Sequence, residues 1–355
     1  MGIKGFFFRP VVESMEGYVP GEQPQDRRYI KLNTNENPYP PSPRVLEALR
    51  RAVTDDLRLY PDPVATELRQ KAAERYGVLP DQVIAGNGSD DLLSMLFRAC
   101  VDPNGPGQVA YAVPTYVLYD TLATLQGVAP KTAPYAADFT FPAQALLAFE
   151  ARLTIVCNPN SPSGTLTPVS TIERFARQSR GLVVVDEAYV DFARETALSL
   201  LTTCPNVVVL RTFSKSFSLA GMRVGLGFGS ADVIRELHKV KDSYNLDRLS
   251  LVAARAALDD YAWMEANVAK VRASREELTT ELRNLGFDVL PSESNFLFAK
   301  SSQQSAADLY VKLKELGILV RYFPAAALRD GLRITVGTPE ENHALISALR
   351  SLMKR

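Results

Sequence analysis

Lys215 has the side chain in this sequence that is best suited to covalent chemistry with a carbonyl group. It stands between Ser214 and Ser216, after the apolar run NVVVL and the residues RTF. A lysine amine that is shielded from water loses part of its positive charge, and the neutral amine can form a Schiff base. Because an isolated lysine in a loop is usually a solvated surface charge, the ends of the neighbouring apolar runs decide its interpretation.

Four successive apolar runs end in small, amide, acidic or basic groups. They are followed by Asn87 to Asp90, by Asn158 to Gly164, by Asp186 to Tyr189 and by Arg211 to Lys215. Each stretch taken alone fits an ordinary turn or helix cap. Since the carboxyl ends of parallel strands meet at one edge of a sheet and bind ligands there, the four together predict a single crevice.

The groups in this crevice predict the chemistry of its ligand. Asp186 ends a buried strand pattern, and a buried carboxylate needs a cation because burying it alone costs several kcal/mol or more. Gly88-Ser89-Asp90 opens a helix, where backbone N–H groups bind anions. A ligand with a protonated ring nitrogen, a phosphate and an aldehyde would serve Asp186, the helix start and Lys215 together. Pyridoxal 5′-phosphate (PLP) has all of these groups.

Each candidate residue then has a predicted role toward PLP. Lys215 forms the Schiff base and Asp186 pairs with the ring nitrogen. Tyr116 lies against the ring face, while Tyr189 and Asn160 bond the ring hydroxyl. The residues predicted to hold the phosphate are Gly88, Ser89, Asp90, Ser214 and Arg223.

These residues need a particular fold to bring them together. Strand and helix patterns alternate along the first two thirds of the chain, with near-continuous Val, Ile and Leu runs that are typical of parallel strands buried on both faces. A long helical stretch follows, and then strand patterns at NFLFAK, GILVRYF and LRITVG. We predict a large α/β domain at 41–250 and a small α+β domain formed by 1–40 and 251–355.

Composition excludes several other classes. Lys plus Arg and Asp plus Glu number 40 each, so the net charge gives no footprint for nucleic acid or an anionic membrane. No run approaches the ~20 apolar residues of a membrane span. With two histidines and three cysteines outside any C-x-x-C pair, we expect no metal site and a reducing, cytoplasmic location.

Two segments of the sequence are similar to nucleotide-binding motifs but lack features that those motifs require. LVVVDEAY is similar to a Walker B strand, but the Gly-Lys dipeptide that a P-loop needs occurs nowhere in the chain. GLGFG at 225–229 has the spacing G-x-G-x-G, which differs from the dinucleotide pattern and lies late in the alternating region. We interpret these glycines instead as places where the backbone packs closely beside the cofactor pocket.

The sequence resembles the fold-type I PLP-dependent aminotransferases, and within them the histidinol-phosphate aminotransferases. The matching segments are GYVPG (17–21), LNTNENPYPPSP (32–43), LYPDP (59–63), GNGSDD (86–91), PTYVLY (114–119), NPNSPSGTL (158–166), VVDEAYVDF (184–192), RTFSKSFSLAGMRVGLGFG (211–229), SNFLF (294–298), GILVRYF (317–323) and LRITVGT (332–338). They span nearly the whole chain in the family's order, and DEAY followed by SK and LAG-x-R-x-G is a specific combination.

The resemblance implies a fold, a reaction and a partner. The fold is that of the type I PLP-dependent transferases, with a large, mostly parallel sheet domain flanked by helices and a smaller α+β domain. The reaction is a ping-pong transfer of the amino group between L-histidinol phosphate and 2-oxoglutarate in histidine biosynthesis, with Lys215 also carrying the proton. The partner is a second copy of the chain, because Tyr60 would reach the cofactor phosphate of the neighbouring subunit.

The substrate-binding residues that the resemblance implies are Tyr18, Asn37, Arg321 and Arg333. Arg333 would bind a substrate carboxylate through its planar fork, and Arg321 would meet the distal phosphate with help from Tyr18. Which arginine binds which anion stays open, since histidinol phosphate has no carboxylate.

Two further points stay open. The family often has P-N-N-P-T-G where this chain has PNSPSG at 159–164, so Asn158 or Ser161 could replace Asn160 at the ring hydroxyl. The alternatives for function are an aromatic amino-acid transaminase, a PLP-dependent decarboxylase of a phosphorylated amino acid, and a non-catalytic binding protein. The last would be expected to lack Lys215, which is present.

Overall fold

The computed structural model of the chain describes residues 7–17, 21–105 and 108–353. Its α-helices are α1 (Pro10–Ser14), α2 (Pro43–Ala52), α3 (Thr66–Tyr76), α4 (Ser89–Cys100), α5 (Leu118–Leu125), α6 (Ala143–Leu147), α7 (Val169–Gln178), α8 (Ala231–Val240), α9 (Arg248–Asp259), α10 (Tyr261–Asn284), α11 (Ala306–Glu315) and α12 (Pro339–Met353). Its strands are β1 (Ile30–Lys31), β2 (Val83–Gly86), β3 (Val109–Val113), β4 (Lys131–Pro134), β5 (Leu153–Cys157), β6 (Leu182–Asp186), β7 (Val207–Thr212), β8 (Gly225–Phe228), β9 (Phe287–Val289), β10 (Phe296–Ser301), β11 (Ile318–Leu319), β12 (Arg321–Tyr322) and β13 (Gly331–Thr335). Short 3-10 turns lie at Asp55–Arg58, Pro80–Gln82, Val190–Phe192, Ala197–Thr202 and Ala220–Met222.

A seven-stranded sheet forms the large body of the molecule, in the order β2-β8-β7-β6-β5-β3-β4. Strands β3 to β7 run parallel to one another, while β8 runs antiparallel to both β2 and β7. Alternate valines of β6 enter two apolar clusters on opposite faces, Val183 and Val185 in one and Val184 in the other. Burial on both faces explains the uninterrupted Val runs, and the predicted mostly parallel sheet is confirmed.

The strand β8 was missing from the prediction. Gly225 and Gly227 occupy two of its four positions, and glycine has a low strand propensity because it adds no side chain to pack. The strand exists because β2 and β7 flank it on both sides and satisfy its backbone. Such pairing depends on the tertiary structure, and a local sequence pattern does not predict it.

A smaller antiparallel sheet has the order β12-β13-β10-β9. Apolar side chains of α10, α11 and α12 pack with it in a separate cluster. The parallel pair β1·β11 attaches residues 30–31 to residues 318–319, which joins the N-terminal part of the chain to this smaller body. Residues of α9 and early α10 instead pack in the core of the large sheet, and the division at residue 250 stays a prediction.

The parallel strands of the large sheet end where the predicted chemistry begins. Cys157, Asp186 and Thr212 are the last residues of β5, β6 and β7. Helix α4 begins at Ser89, as predicted, directly after Gly88, whose φ of 80° places it in the left-handed region that favours glycine. None of the described helices combines the length and the apolar character needed to cross a bilayer.

Candidate active site

A cavity of about 650 Å³ lies at the carboxyl end of the large sheet, with strands of the small sheet contributing to its wall. The predicted site residues among its lining are Ser89, Asp90, Tyr116, Asp186, Tyr189, Ser214, Lys215, Arg223, Arg321 and Arg333. They come from both sheets and from segments far apart in sequence. The prediction that these strand ends share one crevice is therefore confirmed.

Lys215 presents its amine to this cavity under conditions that favour the neutral form. Burial lowers the pKa of Lys215 to about 8, and the positive charges of Arg333 and Arg223 add to this, whereas Glu36 and Asp90 oppose it. Nζ donates a long hydrogen bond of 3.4 Å to the Thr34 carbonyl. Close to neutral pH the amine is thus neutral in an appreciable fraction of molecules, which is the form that attacks carbonyl carbon.

The loop that carries Lys215 is held by residues that do not line the cavity. The Asn37 side-chain amide donates to the carbonyls of Lys215 and Ser216, each at 3.1 Å. The Ser216 hydroxyl donates to Asp191, which also forms an ion pair with Arg211 at 3.0 Å. These contacts fix the backbone around Lys215 while its side chain remains available to a ligand.

The lowered pKa of Lys215 predicts how the protein without cofactor captures PLP. We expect the rate of capture to rise with pH and to level off above a midpoint near 8, because only neutral Nζ attacks the aldehyde. Stopped-flow absorbance after mixing the apoprotein with PLP over a pH series measures this rate. Replacing Arg333 with glutamine should move the midpoint upward, and a wild-type midpoint near 10.5, the ordinary lysine pKa, would contradict the expectation.

Asp186 is a buried carboxylate that has hydrogen bonds but no ion pair among the described residues. The Tyr119 hydroxyl donates to its Oδ2 at 2.7 Å and the Ala188 backbone donates to its Oδ1 at 3.2 Å. Burial raises the pKa of Asp186 to about 6, with Asp90 adding to the rise and Tyr119 opposing it. A cation placed in the cavity would remove this penalty.

An anion cradle lies at the N-terminus of α4. Arg223 donates to the Ser214 hydroxyl at 3.2 Å and forms an ion pair with Asp90 at 3.0 Å. The first-turn N–H groups of a helix have no intrahelical partners, and the helix dipole favours negative charge there. Together with the Arg223 guanidinium, these groups form a site for a phosphate.

Two glycines allow the groups around the cradle to pack closely. A Cβ on Gly88 would lie 2.7 Å from Nη2 of Arg223, and a Cβ on Gly225 would lie 2.6 Å from both the Gly88 carbonyl carbon and the Ser89 backbone nitrogen. Strand β8 thus packs directly against the turn that begins α4. The interpretation of the 225–229 glycines as close packing beside the pocket is confirmed at Gly225.

Gly225→Ala is expected to weaken PLP binding by about tenfold to a hundredfold, because overpacking at backbone costs about 1–3 kcal/mol. The added methyl must displace the backbone at Gly88 or Ser89, which is where the phosphate would sit. The dissociation constant of PLP from the apoprotein measures the effect. Gly221→Ala is the matched control, since a Cβ there meets nothing within 4 Å. Equal affinities for the two variants would contradict the role of Gly225.

Two tyrosines, Tyr116 and Tyr189, line the same cavity as Lys215 and the cradle. Tyr116 donates to Asp90 at 3.3 Å, and its ring stands edge-on to that of Tyr119 at 5.7 Å. The Tyr189 hydroxyl accepts a hydrogen bond from the Asn35 amide at 3.1 Å. Burial raises the pKa of Tyr189, so its hydroxyl stays protonated and can donate to a ligand.

Arg321 and Arg333 lie opposite each other on adjacent strands, β12 and β13. Arg333 donates to the Ser161 hydroxyl at 3.2 Å and to the Asn33 carbonyl at 2.8 Å. Like charges directly opposite in an antiparallel pair repel. Two guanidiniums that face one cavity therefore indicate a place for an anion.

The structure places several predicted site residues outside the cavity. The Asn160 side chain bonds to Pro114 and Thr115 on the loop after β3 and to Ser163 in its own loop, and Ser161 lines the cavity in its place. Asn37 supports the Lys215 loop and does not line the cavity. Tyr60 is 78% exposed and stacks on Tyr244 at 4.5 Å. Tyr18 lies outside the described residues.

Three residues of the site are not predicted by the sequence. Asn35 and Phe323 line the cavity, whereas Tyr119 is fully buried behind the lining, where it bonds Asp186. Tyr119 could have been found, because it follows Tyr116 by three positions, a spacing that places two side chains on one face of a helical turn. The sequence around Asn35 and Phe323 does not predict their roles, because each acts through a contact with a distant segment: Asn35 with Tyr189, and Phe323 with Arg333. Asn35 has a φ of 56°, which asparagine tolerates better than most residues.

Comparison with known proteins agrees with this geometry. A family model described as aminotransferase class I and II matches residues 27–349. The chain belongs to the class I and II aminotransferases. It is 47% identical over 349 residues to histidinol-phosphate aminotransferase 1 of Trichormus variabilis, covering 98% of this chain and 99% of the relative. It is 45% identical over 348 residues to histidinol-phosphate aminotransferase of Pseudomonas putida, covering 97% and 99%.

Among solved structures, the chain is similar to histidinol-phosphate aminotransferase from Sinorhizobium meliloti in complex with pyridoxal-5′-phosphate. The TM-score is 0.88 at 28% sequence identity, with 98% of each chain covered. The predicted type I fold, with a large mostly parallel sheet flanked by helices and a small antiparallel sheet, is confirmed.

The site of this class I and II aminotransferase fits PLP. Its buried Asp186 has hydrogen-bond donors and lacks a cation among the described residues, which suits a protonated pyridine nitrogen. The cradle at Gly88 and Arg223 suits the phosphate, and Lys215 faces the same cavity. The residues that would hold the cofactor thus supply one complementary group for each of its charged or reactive parts.

Proposed function

We propose that this aminotransferase moves the amino group between L-histidinol phosphate and 2-oxoglutarate, with PLP as cofactor, in histidine biosynthesis. The observation that carries the substrate assignment is the pair Arg321 and Arg333, opposite each other in one cavity that also contains the phosphate cradle. A phosphorylated substrate needs this second anion site. The relatives named histidinol-phosphate aminotransferase, at 47% identity over nearly the full chain, support it.

PLP, when bound, supplies an electron-withdrawing ring that accepts the electron pair left when a C–H bond beside the amino group breaks. Asp186 holds the positive charge of the ring nitrogen, which strengthens this withdrawal. Tyr116 supports the ring face and Tyr189 donates to the ring hydroxyl. Gly88, Ser89 and Arg223 keep the phosphate, and therefore the ring, in a fixed position.

Lys215 carries the proton. Its Nζ has a pKa lowered to about 8, close to the pH at which a general base is most efficient. Nζ would remove the proton from the substrate carbon that bears the amino nitrogen and would hold that proton until it is delivered in the second proton transfer. The amino group then stays in the site until the keto acid enters, so one pocket must accept both substrates.

The arginine pair orients both substrates. In the first half of the cycle it would bind the phosphate of histidinol phosphate, and in the second it would bind carboxylates of 2-oxoglutarate. A guanidinium binds either anion through two parallel hydrogen bonds. We assign the distal phosphate to Arg321 and a carboxylate to Arg333, following the resemblance.

Turnover on histidinol phosphate, phenylalanine and threonine phosphate tests the substrate assignment. We expect the highest kcat/KM on histidinol phosphate, and a clear loss on histidinol, which lacks the phosphate. A higher kcat/KM on phenylalanine would indicate an aromatic amino-acid transaminase. Release of carbon dioxide from threonine phosphate would indicate a decarboxylase.

We further propose a cytoplasmic homodimer. Exposed apolar side chains gather near Tyr60 in the sequence, with Leu57 at 48% and Leu59 at 45% exposure. Exposed apolar patches of this kind commonly mark protein interfaces, and a second copy of the chain would cover them and bring Tyr60 to its active site. Sedimentation equilibrium measures the assembly state, and Tyr60→Phe tests the contribution to PLP affinity.

A further inference from the structure

Aromatic rings and guanidinium groups alternate in a row that runs from Tyr189 to Arg321, beside and along the wall of the cavity. The Tyr189 ring stands edge-on to Phe296, with centroids 5.0 Å apart. The Arg333 guanidinium carbon lies 5.3 Å from the centroid of Phe296 and 5.5 Å from that of Phe323. The Arg321 guanidinium carbon also lies 5.5 Å from Phe323. Phe323 is therefore the ring that both arginines share.

The strand register explains why contact of Phe323 with both arginines matters. Arg321 and Arg333 are direct cross-strand partners, and two such charges repel and would turn away from each other into solvent. The negative face of an aromatic ring attracts a guanidinium that lies within about 6 Å of its centroid. Phe323 offsets the repulsion by attracting both groups to one point of the cavity wall.

The ring of Phe323 is fixed by the protein itself. It packs against a small apolar cluster formed by Leu290, Phe298 and Leu328, all buried. Phe323 also lines the cavity. The ring can thus set the position of both guanidiniums before a substrate enters, which reduces the ordering cost of binding.

We propose that Phe323 is a positioning residue for substrate anions, holding Arg321 and Arg333 in the arrangement that receives both the phosphate of one substrate and the carboxylates of the other. This inference rests on the proposed function in that a ping-pong enzyme must place both anions in one pocket. Because the ring contacts both arginines, its loss should affect both halves of the cycle. It should leave the proton transfer at Lys215 largely unchanged.

Phe323→Leu tests the proposal in the holoenzyme. We expect KM to rise about tenfold for both histidinol phosphate and 2-oxoglutarate, because a desolvated cation–π contact to each arginine is lost. We expect kcat to change less than about twofold. Phe323→Tyr keeps the ring and should stay within about twofold of wild type in both KM values. Phe323→Met, which is apolar and without a ring, is the second variant should Phe323→Leu fail to fold.

Tyr322→Leu is the matched control at the preceding position, the last residue of β12. The Tyr322 ring stacks on Tyr310 at 6.0 Å, and Tyr322 does not line the cavity. Its loss should leave both KM values unchanged. If Phe323→Leu and Phe323→Met lower the melting temperature and leave KM unchanged, or if Phe323→Tyr is as impaired as they are, the proposal is wrong.

Binding of simple anions separates this proposal from the substrate assignment. Inorganic phosphate and succinate are titrated into the holoenzyme and followed by the visible absorbance of the cofactor. We expect both to bind about tenfold more weakly to Phe323→Leu than to wild type, whichever amino donor the enzyme uses. Failure of wild type to turn over histidinol phosphate would overturn the proposed function, whereas equal anion affinities in wild type and Phe323→Leu would overturn the role of Phe323.

Discussion

Lys215→Ala is expected to lower the rate of transamination by at least about 10⁴-fold. A well-positioned general acid–base group alone contributes about 10²- to 10⁴-fold, and the covalent role of the amine is lost as well. The cavity offers no substitute among the described residues, because the amines and guanidiniums that line it with Lys215 are Arg223, Arg321 and Arg333, and arginine stays protonated. Single-turnover measurement of amino transfer gives the rate.

Lys215→Arg separates the charge of Lys215 from its ability to lose a proton. It keeps the positive charge near Arg333 and Glu36 and removes only the capacity to deprotonate. We expect the same loss of activity, while PLP remains bound through Asp186, Arg223 and the start of α4, and its visible absorbance shifts. A Lys215→Arg enzyme that keeps more than about a hundredth of wild-type activity would show that Lys215 serves only as a charge.

Asp186→Asn is expected to act in opposite directions on the loaded and the empty protein. With PLP bound, removing one member of a buried ion pair costs about 3–5 kcal/mol, so PLP affinity should fall by about 10²- to 10⁴-fold. Without PLP, the carboxylate is buried among hydrogen-bond donors and has no cation, and burial raises its pKa to about 6 from 3.8. The empty variant should then be more stable than empty wild type at pH 7 by about 2–3 kcal/mol.

The predicted gain in stability of the empty Asp186→Asn variant depends on pH. Since the pKa of Asp186 is higher in the folded state, the folded protein binds more protons, and the stability of the empty wild type falls as pH rises between about 4 and 6. The gain from Asp186→Asn should therefore be absent at pH 4 and complete above pH 7. Urea unfolding of both apoproteins at the two pH values measures it. A wild-type apoprotein more stable than Asp186→Asn at pH 7 would mean that a protein cation already neutralises this carboxylate.

Much of this site could be predicted because the sheet imposes strict geometry on the sequence. Buried valines in β5, β6 and β7 force the polar residues to the strand ends, and parallel strands place those ends side by side. Asp186, Lys215 and the start of α4 could be found in this way from their positions alone.

Other features depend on contacts that no local pattern carries. The side chain of Asn160 is held away from the cavity by Pro114 and Thr115, which follow β3 and lie about 45 positions earlier in the chain. The support of Asp186 by Tyr119 joins residues 67 positions apart, and the strand at Gly225 exists only because its neighbours pair with it. In each case the deciding partner lies on another element, so its position follows from the complete fold.

The two sheets of this enzyme also differ in what change they can tolerate. The groups predicted for the cofactor lie on the large sheet and its loops, where Gly88 and Gly225 leave no space for larger side chains. The arginines and Phe323 lie on β12 and β13 and the segment between them, where residues 324–327 are exposed. Mutation along this short segment can vary the anion-binding wall while the cofactor stays in place. Directed evolution toward new amino donors would therefore begin most productively at residues 321–330.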